Sequence, residues 1–134
     1  MTTPSFVTQI PAAPSAVALA HFETLLSLET DCWDVHESLA TSTPDFVLLQ
    51  VTGGRVGFDA EHIPGASYLH HSDMTEETLA AYPPETTFVV YCAGPHCNGA
   101  DRAAARLASL GRPVKKMIGG KTGWVDEGFD FATT

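Results

Sequence analysis

The segment FVVYCAGPHCNGADRAAARL, residues 88–107, holds the residue types best suited to chemistry. An apolar run of strand length ends in Cys92, a loop with two glycines and one proline follows, and Cys97 sits inside that loop. An alanine-rich run then begins at Gly99. A thiol at a strand-to-helix junction faces the first amides of the helix, which have no partner within the helix and lie at the positive end of its dipole. That position favours an anion and lowers the pKa of a cysteine, so the junction predicts a Cys92 thiolate acting as a nucleophile. Gly94 and Gly99 allow loop amides to turn inward around the sulfur. The alternative is a buried structural cysteine, and the strand–cysteine–glycine loop–helix context favours the reactive one. His96 is either a weak electrostatic helper or a solvated loop histidine.

The elements that must position Cys92 follow from periodicity and turn chemistry. Residues 1–14, with three prolines and several Ser and Thr, read as a flexible N-terminal arm. A helix is expected from Ser15, with Val17, Leu19, Ala20, Phe22, Leu25, Leu26 and Leu28 dense enough for a buried face. Asp31 or Thr30 caps a second helix, CWDVHESLAT, with Trp33 or Val35 and Leu39 inward. STPD (42–45) breaks the chain before FVLLQV (46–51), a run suited to a strand buried on both faces. TGGRVG (52–57) reads as a flexible loop, HIPGASYL (62–69) as a turn into a short extended segment, and TEETLAAY (75–82) as a helix capped by Thr75. TFVVYC (87–92) is the strongest strand, GADRAAARLASLG (99–111) a helix closed by Gly111, PVKKMI (113–118) a further strand, and GGKTGW (119–124) a glycine turn before the tail. Strands alternating with helices predict an α/β fold around a mostly parallel sheet, whose ligands bind beyond the carboxyl ends of the strands. Cys92 lies at such an end.

Composition narrows the function classes. The chain has 134 residues, enough for one domain with a core of its own, and no segment that would divide it. Its formal charge is −9 with only seven Lys and Arg, which argues against a nucleic-acid partner. There is no apolar run of membrane-spanning length and no signal-peptide pattern at the start, so no membrane contact and a cytoplasmic location are expected. Three cysteines, Cys32, Cys92 and Cys97, fit reduced thiols better than a disulfide framework. A metal site built on Cys92, His96 and Cys97 would need ligands converging from one tight loop, with no second pair to complete it.

Three separated pieces of the chain resemble the rhodanese-like domain, a sulfurtransferase family. FDAEHIPGA (58–66) is similar to its His-Ile-Pro-Gly-Ala signature with Glu61 in place of a glycine, FVVYCAG to the strand that delivers its cysteine, and MIGGKTGW (117–124) to its closing Gly-Gly-x-x-x-Trp motif. ETDCWDV (29–35) and the YCAGPHCN loop resemble a single-domain branch of the family. The resemblance implies one rhodanese-like domain over residues 15–134, an α/β/α sandwich around a mostly parallel sheet of about five strands. It implies that Cys92 takes sulfane sulfur from a small donor such as thiosulfate or a persulfide, and passes it to a thiophilic acceptor, either a small molecule or a protein. Backbone amides of Ala93, Gly94, His96, Cys97 and Asn98, with Pro95 shaping the loop, would hold the persulfide and the donor's anionic oxygens. No metal or organic cofactor is implied. In this motif His62 fixes the turn, Trp124 packs in the core, and Gly119 and Gly120 serve a tight backbone turn.

The departures from the family pattern are also informative. Gln50 and Thr52 replace an Asp-x-Arg pair after the first core strand; loss of both charges strands neither, so the fold should survive. The loop after Cys92 is longer than in common relatives and lacks their Arg or Lys, leaving only His96, which predicts poor affinity for thiosulfate. The length is similar to that of the related Cys-x5-Arg phosphatases, but Asn98 stands where their phosphate-clamping arginine would be. Cys97 is a candidate resolving thiol for a Cys92 persulfide, or a small apolar residue against the helix. A module that binds a partner or carries sulfur without turnover, and a Cys92/Cys97 thiol-redox protein, are the rival readings.

Overall fold

Residues 88–91 are buried at every position because their strand is the middle one of the sheet. The computed structural model describes residues 3–41 and 43–134; Met1 and Thr2 of the expected arm and Ser42 of the expected chain break lie outside the described residues. Strands β1 (Glu29–Thr30), β2 (Val47–Gln50), β3 (Ser67–Tyr68), β4 (Phe88–Tyr91) and β5 (Val114–Met117) form one sheet in the order β1-β5-β4-β2-β3. Every pair is parallel, with Leu49 opposite Val90 and Val90 opposite Lys116. The helices are α1 (Ser15–Leu28), α2 (Cys32–Leu39), α3 (Arg55–Ala60), α4 (Gly99–Ser109) and α5 (Gly120–Asp126).

Side-chain alternation along β4 sorts the core into two layers. Phe88 and Val90 face a cluster with Leu49, Val51, Ala103 and Leu107, on the side covered by α4. Val89 and Tyr91 face Leu48, Val35, Met117 and Trp124, on the side covered by α2 and α5. The result is the expected α/β/α sandwich, with all five strands parallel. Cys92, the first residue past β4, belongs to the α4 layer.

Four local expectations are corrected, and in α2 one stated alternative is settled. Helix α1 forms but buries none of its residues; Phe22 is 57% and Leu26 70% exposed. Its apolar residues lie on all sides rather than in one stripe, and it meets the sheet mainly beside β1 and β5. In α2, which Asp31 caps by accepting from the Asp34 amide at 2.8 Å, Val35 is buried but Trp33 is 54% exposed. Residues 55–57, expected as loop, open α3, because Gly54 takes an extended N-cap conformation, Phe58 anchors the turn in the core, and Arg55 pairs with Asp59 one turn on.

Residues 75–82 begin as a helix would, with the Thr75 and Thr78 hydroxyls each accepting from the other's amide. They continue as separate turns, since Pro83 and Pro84 forbid a longer ladder and guanidinium groups take the free carbonyls. Arg112 donates to Leu79 O at 2.8 Å and to Pro83 O at 2.7 Å, and Arg106 donates to Met74 O at 2.9 Å. Finally, Gly120–Asp126 is a helix rather than a glycine turn: Gly119 (φ +88°) turns the chain sharply and α5 starts at once.

Candidate active site

The loop after β4 is sewn to the first turn of α5. The Cys92 carbonyl accepts from the Lys121 amide at 3.0 Å, and the Ala93 carbonyl accepts from the amide (3.0 Å) and hydroxyl (3.1 Å) of Thr122. Three glycines permit this contact. A methyl group on Gly120 would strike Cys92 O and lie 2.8 Å from Gly94 N; one on Gly94 would lie 2.6 Å from Thr122 Oγ1; one on Gly99 would strike Thr52 Cγ2. The cysteine loop, the glycine motif and the threonine after β2 therefore close on one another with no room for a side chain.

The Cys92 thiol is buried, only 4% exposed, and its Sγ donates to the Cys97 carbonyl at 3.3 Å. Burial pushes its pKa up, against the lowering pull of the amides of Ala100 and Gly94 on the sulfur. This corrects the expectation of an acidic Cys92: the helix start is present, but desolvation outweighs it. Cys97 is the more acidic thiol. The Gly99 amide donates to its Sγ at 3.4 Å, and that bond, ahead of any burial, draws its pKa down. An electrophilic thiol probe applied at rising pH should therefore modify Cys97 before Cys92, read by peptide mapping; modification of Cys92 first would contradict the assignment.

A cavity of about 380 Å³ opens beside the sulfur, walled by the Cys92 loop, α4, the end of β5 and the glycine turn. Gly94, Pro95 and Cys97 line it; Ala93, His96 and Asn98, also expected there, do not. The Ala93 carbonyl is held by α5. His96 lies exposed with its ring edge over Gly94, and the Asn98 carboxamide accepts from Arg102 Nε at 3.1 Å. A larger cavity of about 700 Å³ opens near the amino ends of β2 and β3, and no cysteine lines it.

Five lining residues were not expected from the sequence: Ala100, Asp101, Lys116, Met117 and Ile118. Lys116 supplies a cation the loop lacks. It lies on the α4 side of β5, and its Nζ donates to Asp101 Oδ1 at 2.9 Å and sits 3.5 Å from Glu29 Oε2. The bond to Asp101 leads in raising its pKa. The two carboxylates offset its charge. The Lys-Lys pair in PVKKMI is the signal the sequence offers, but only the sheet order brings Lys116 beside Cys92.

The substituted pair is also accounted for. Gln50 is buried, accepts from Tyr91 Oη at 3.0 Å and donates to Thr52 O at 3.3 Å, while Tyr91 Oη in turn accepts from the Ile63 amide at 3.2 Å. A neutral relay thus stands where the ion pair would be, with its polar atoms partnered. His62 ties the turn, donating from Nδ1 to Phe58 O at 2.7 Å, stacking on Phe58 and bridging to Ala132. Trp124 is buried with Nε1 donating to Asp130 O at 2.9 Å. Neither lines the Cys92 cavity. Among the described residues no cluster of three His, Cys, Asp or Glu is arranged to hold a metal ion, and no helix is long and apolar enough to cross a membrane.

Comparison with known proteins agrees with this geometry. The family model of the rhodanese-like domain matches residues 33–127. A Bacillus halodurans protein of known structure is 31% identical and superposes with a TM-score of 0.85, over 90% of this chain and 88% of its own. The rhodanese-like domain of an Anabaena protein is 23% identical with a TM-score of 0.68, over 79% of each chain. A thiosulfate sulfurtransferase from Pseudomonas aeruginosa is 19% identical with a TM-score of 0.62, over 80% of this chain but 20% of its own, a likeness that carries the fold alone. No curated protein matches the chain. With most of its length under the family model and the same parallel sandwich beneath, the chain belongs to the rhodanese-like domain family.

Proposed function

We propose that this domain is a sulfurtransferase that carries sulfane sulfur as a persulfide on Cys92, from a small sulfur donor to a thiophilic acceptor. The observation that carries the reading is the setting of one sulfur: Cys92 follows the central strand directly, lines the cavity between α4 and the glycine turn, and has the amides of Gly94 and Ala100 acting on its sulfur. With thiosulfate as donor, the Cys92 thiolate attacks the sulfane sulfur, the donor's S–S bond breaks, and sulfite leaves with the electron pair. The outer persulfide sulfur then lies among amides whose partial positive charge suits a developing anion. An acceptor thiolate or cyanide removes that sulfur and restores the Cys92 thiolate. The fold shared with a thiosulfate sulfurtransferase is consistent with this chemistry.

The charges around the cavity bear on the donor. Lys116 is offset by Asp101 and Glu29, so a dianion such as thiosulfate meets little net attraction, while an alkyl persulfide needs less. The test is single-turnover exposure to each donor, reading sulfite from thiosulfate and the free thiol left by an alkyl persulfide. One equivalent of leaving group per chain is expected, reached at a lower concentration of the persulfide. Asp101→Asn, which removes one of the two carboxylates that offset Lys116, should lower the thiosulfate concentration for half-maximal rate by about threefold, a modest change because the pair is partly exposed. No leaving group from either donor would overturn the proposal.

A further inference from the structure

Cys97 is the second thiol of the cavity, and one-cysteine sulfur transfer leaves it unused. It is a free thiol, half-buried, and lines the same cavity as Cys92. The loop folds it back: the Cys97 amide donates to Gly94 O at 3.0 Å, and the Cys92 thiol rests on the Cys97 carbonyl. The two side chains converge over Gly99, where a methyl group would lie 3.4 Å from Cys97 Sγ and 3.5 Å from Cys92 Cβ. The Gly99 amide points at Cys97 Sγ, a partner that suits a thiolate. The third thiol, Cys32, belongs to the other core layer and hydrogen-bonds Ile118 O and Gly120 O.

We infer that Cys97 is a second nucleophile of this site, which attacks the Cys92 persulfide at its inner sulfur, closes a Cys92–Cys97 disulfide and releases hydrosulfide. The step rests on the persulfide chemistry proposed above and gives the domain a way to discharge sulfur as sulfide with no external sulfur acceptor. The balance closes within the pair. The step starts from the singly protonated pair, with the proton on Cys92, whose Sγ donates to the Cys97 carbonyl, and Cys97 as the thiolate. Transfer of that proton to Cys97 frees the Cys92 thiolate for the donor. After the donor's leaving group departs, the same proton returns to the persulfide. The Cys97 thiolate then forms the S–S bond, and the bond between Cys92 Sγ and the outer sulfur breaks with its electrons going to hydrosulfide. The outer sulfur is reduced by two electrons and the two cysteines are oxidised by two. Return to the starting pair of one thiol and one thiolate takes two electrons and one proton, supplied by an external dithiol reductant through ordinary thiol–disulfide exchange.

The test compares wild type with Cys97→Ser, whose hydroxyl can still accept from the Gly99 amide, and with Cys32→Ser. Each is exposed to thiosulfate and to an alkyl persulfide without reductant. In wild type and Cys32→Ser, sulfide is expected in step with sulfite or donor thiol, leaving a chain two hydrogens lighter with Cys92 and Cys97 in one disulfide-linked peptide. In Cys97→Ser, which also loses the acceptor of the Cys92 proton, the leaving group is expected more slowly, the chain gains one sulfur atom, and the sulfide released per leaving group falls at least about tenfold for want of the attacking thiolate. Wild type that keeps the added sulfur without releasing sulfide, Cys97→Ser that releases as much per leaving group as wild type, or a disulfide to Cys32 would overturn the role of Cys97 and leave the Cys92 reading standing. No leaving group from any variant would remove that reading, and the role of Cys97 with it.

Discussion

Cys92→Ser is expected to remove sulfur transfer, lowering the rate of sulfite release from thiosulfate by at least about a thousandfold, because a hydroxyl is a far weaker nucleophile than a thiolate and no other group occupies its place. Stability should change little. The side chain is replaced by one of nearly the same shape, and the new hydroxyl can donate to the Cys97 carbonyl as the thiol does at 3.3 Å. A loss of under about 1.5 kcal/mol in urea unfolding is expected, the range of an exchange that leaves no buried group unpartnered. The two measurements together separate chemistry from packing. Activity retained within tenfold in a folded Cys92→Ser protein would mean that another thiol, Cys97 being nearest, takes the sulfur first.

Much of this site was legible in the sequence because its parts are local. Apolar residues at strand length, glycines at a junction and a helix-forming run place Cys92 at the end of β4 without knowledge of any distant contact. What was not legible depends on distance in space. The pKa order of Cys92 and Cys97 turns on the Gly99 amide bond to one sulfur and the burial of the other, and that burial follows from α4 packing over the end of β4, not from the loop's composition. Lys116 joins the cavity only because β5 lies next to β4 in the sheet. Helix α1 shows the reverse failure: its apolar count suggested burial, yet its residues point in all directions and no second layer covers them. The turns at 75–82 do not read as turns from the sequence because the Leu79 carbonyl is met by Arg112 and the neighbouring Met74 carbonyl by Arg106, partners far along the chain.

The second large effect is expected at Gly120, the residue that seals the cysteine loop against α5. Its φ of +57° is left-handed, and an L side chain there costs roughly 1–2 kcal/mol, in part recovered because alanine stiffens the unfolded chain. Gly128, at φ +82° with nothing within 4 Å of an added methyl, bears a comparable backbone cost and no contact, so Gly128→Ala measures strain alone. Gly120→Ala adds a collision with the Cys92 carbonyl and with the Gly94 backbone, at 2.8 Å to N and 2.9 Å to Cα. These are backbone atoms that no rotamer change can move aside. Relief requires α5 to draw away from the loop, which stretches the bond from the Lys121 amide to Cys92 O and shifts the Gly94 amide from its place beside the sulfur. Gly120→Ala should thus lose about 2–4 kcal/mol in urea unfolding, the range of overpacked and strained sites. Among molecules that remain folded, kcat/KM for the sulfur donor should fall about tenfold or more, as expected when an oxyanion-type donor is displaced. Gly128→Ala should keep wild-type kcat/KM. If the two variants match in both stability and activity, the contact between Gly120 and the cysteine loop does not hold the site in shape.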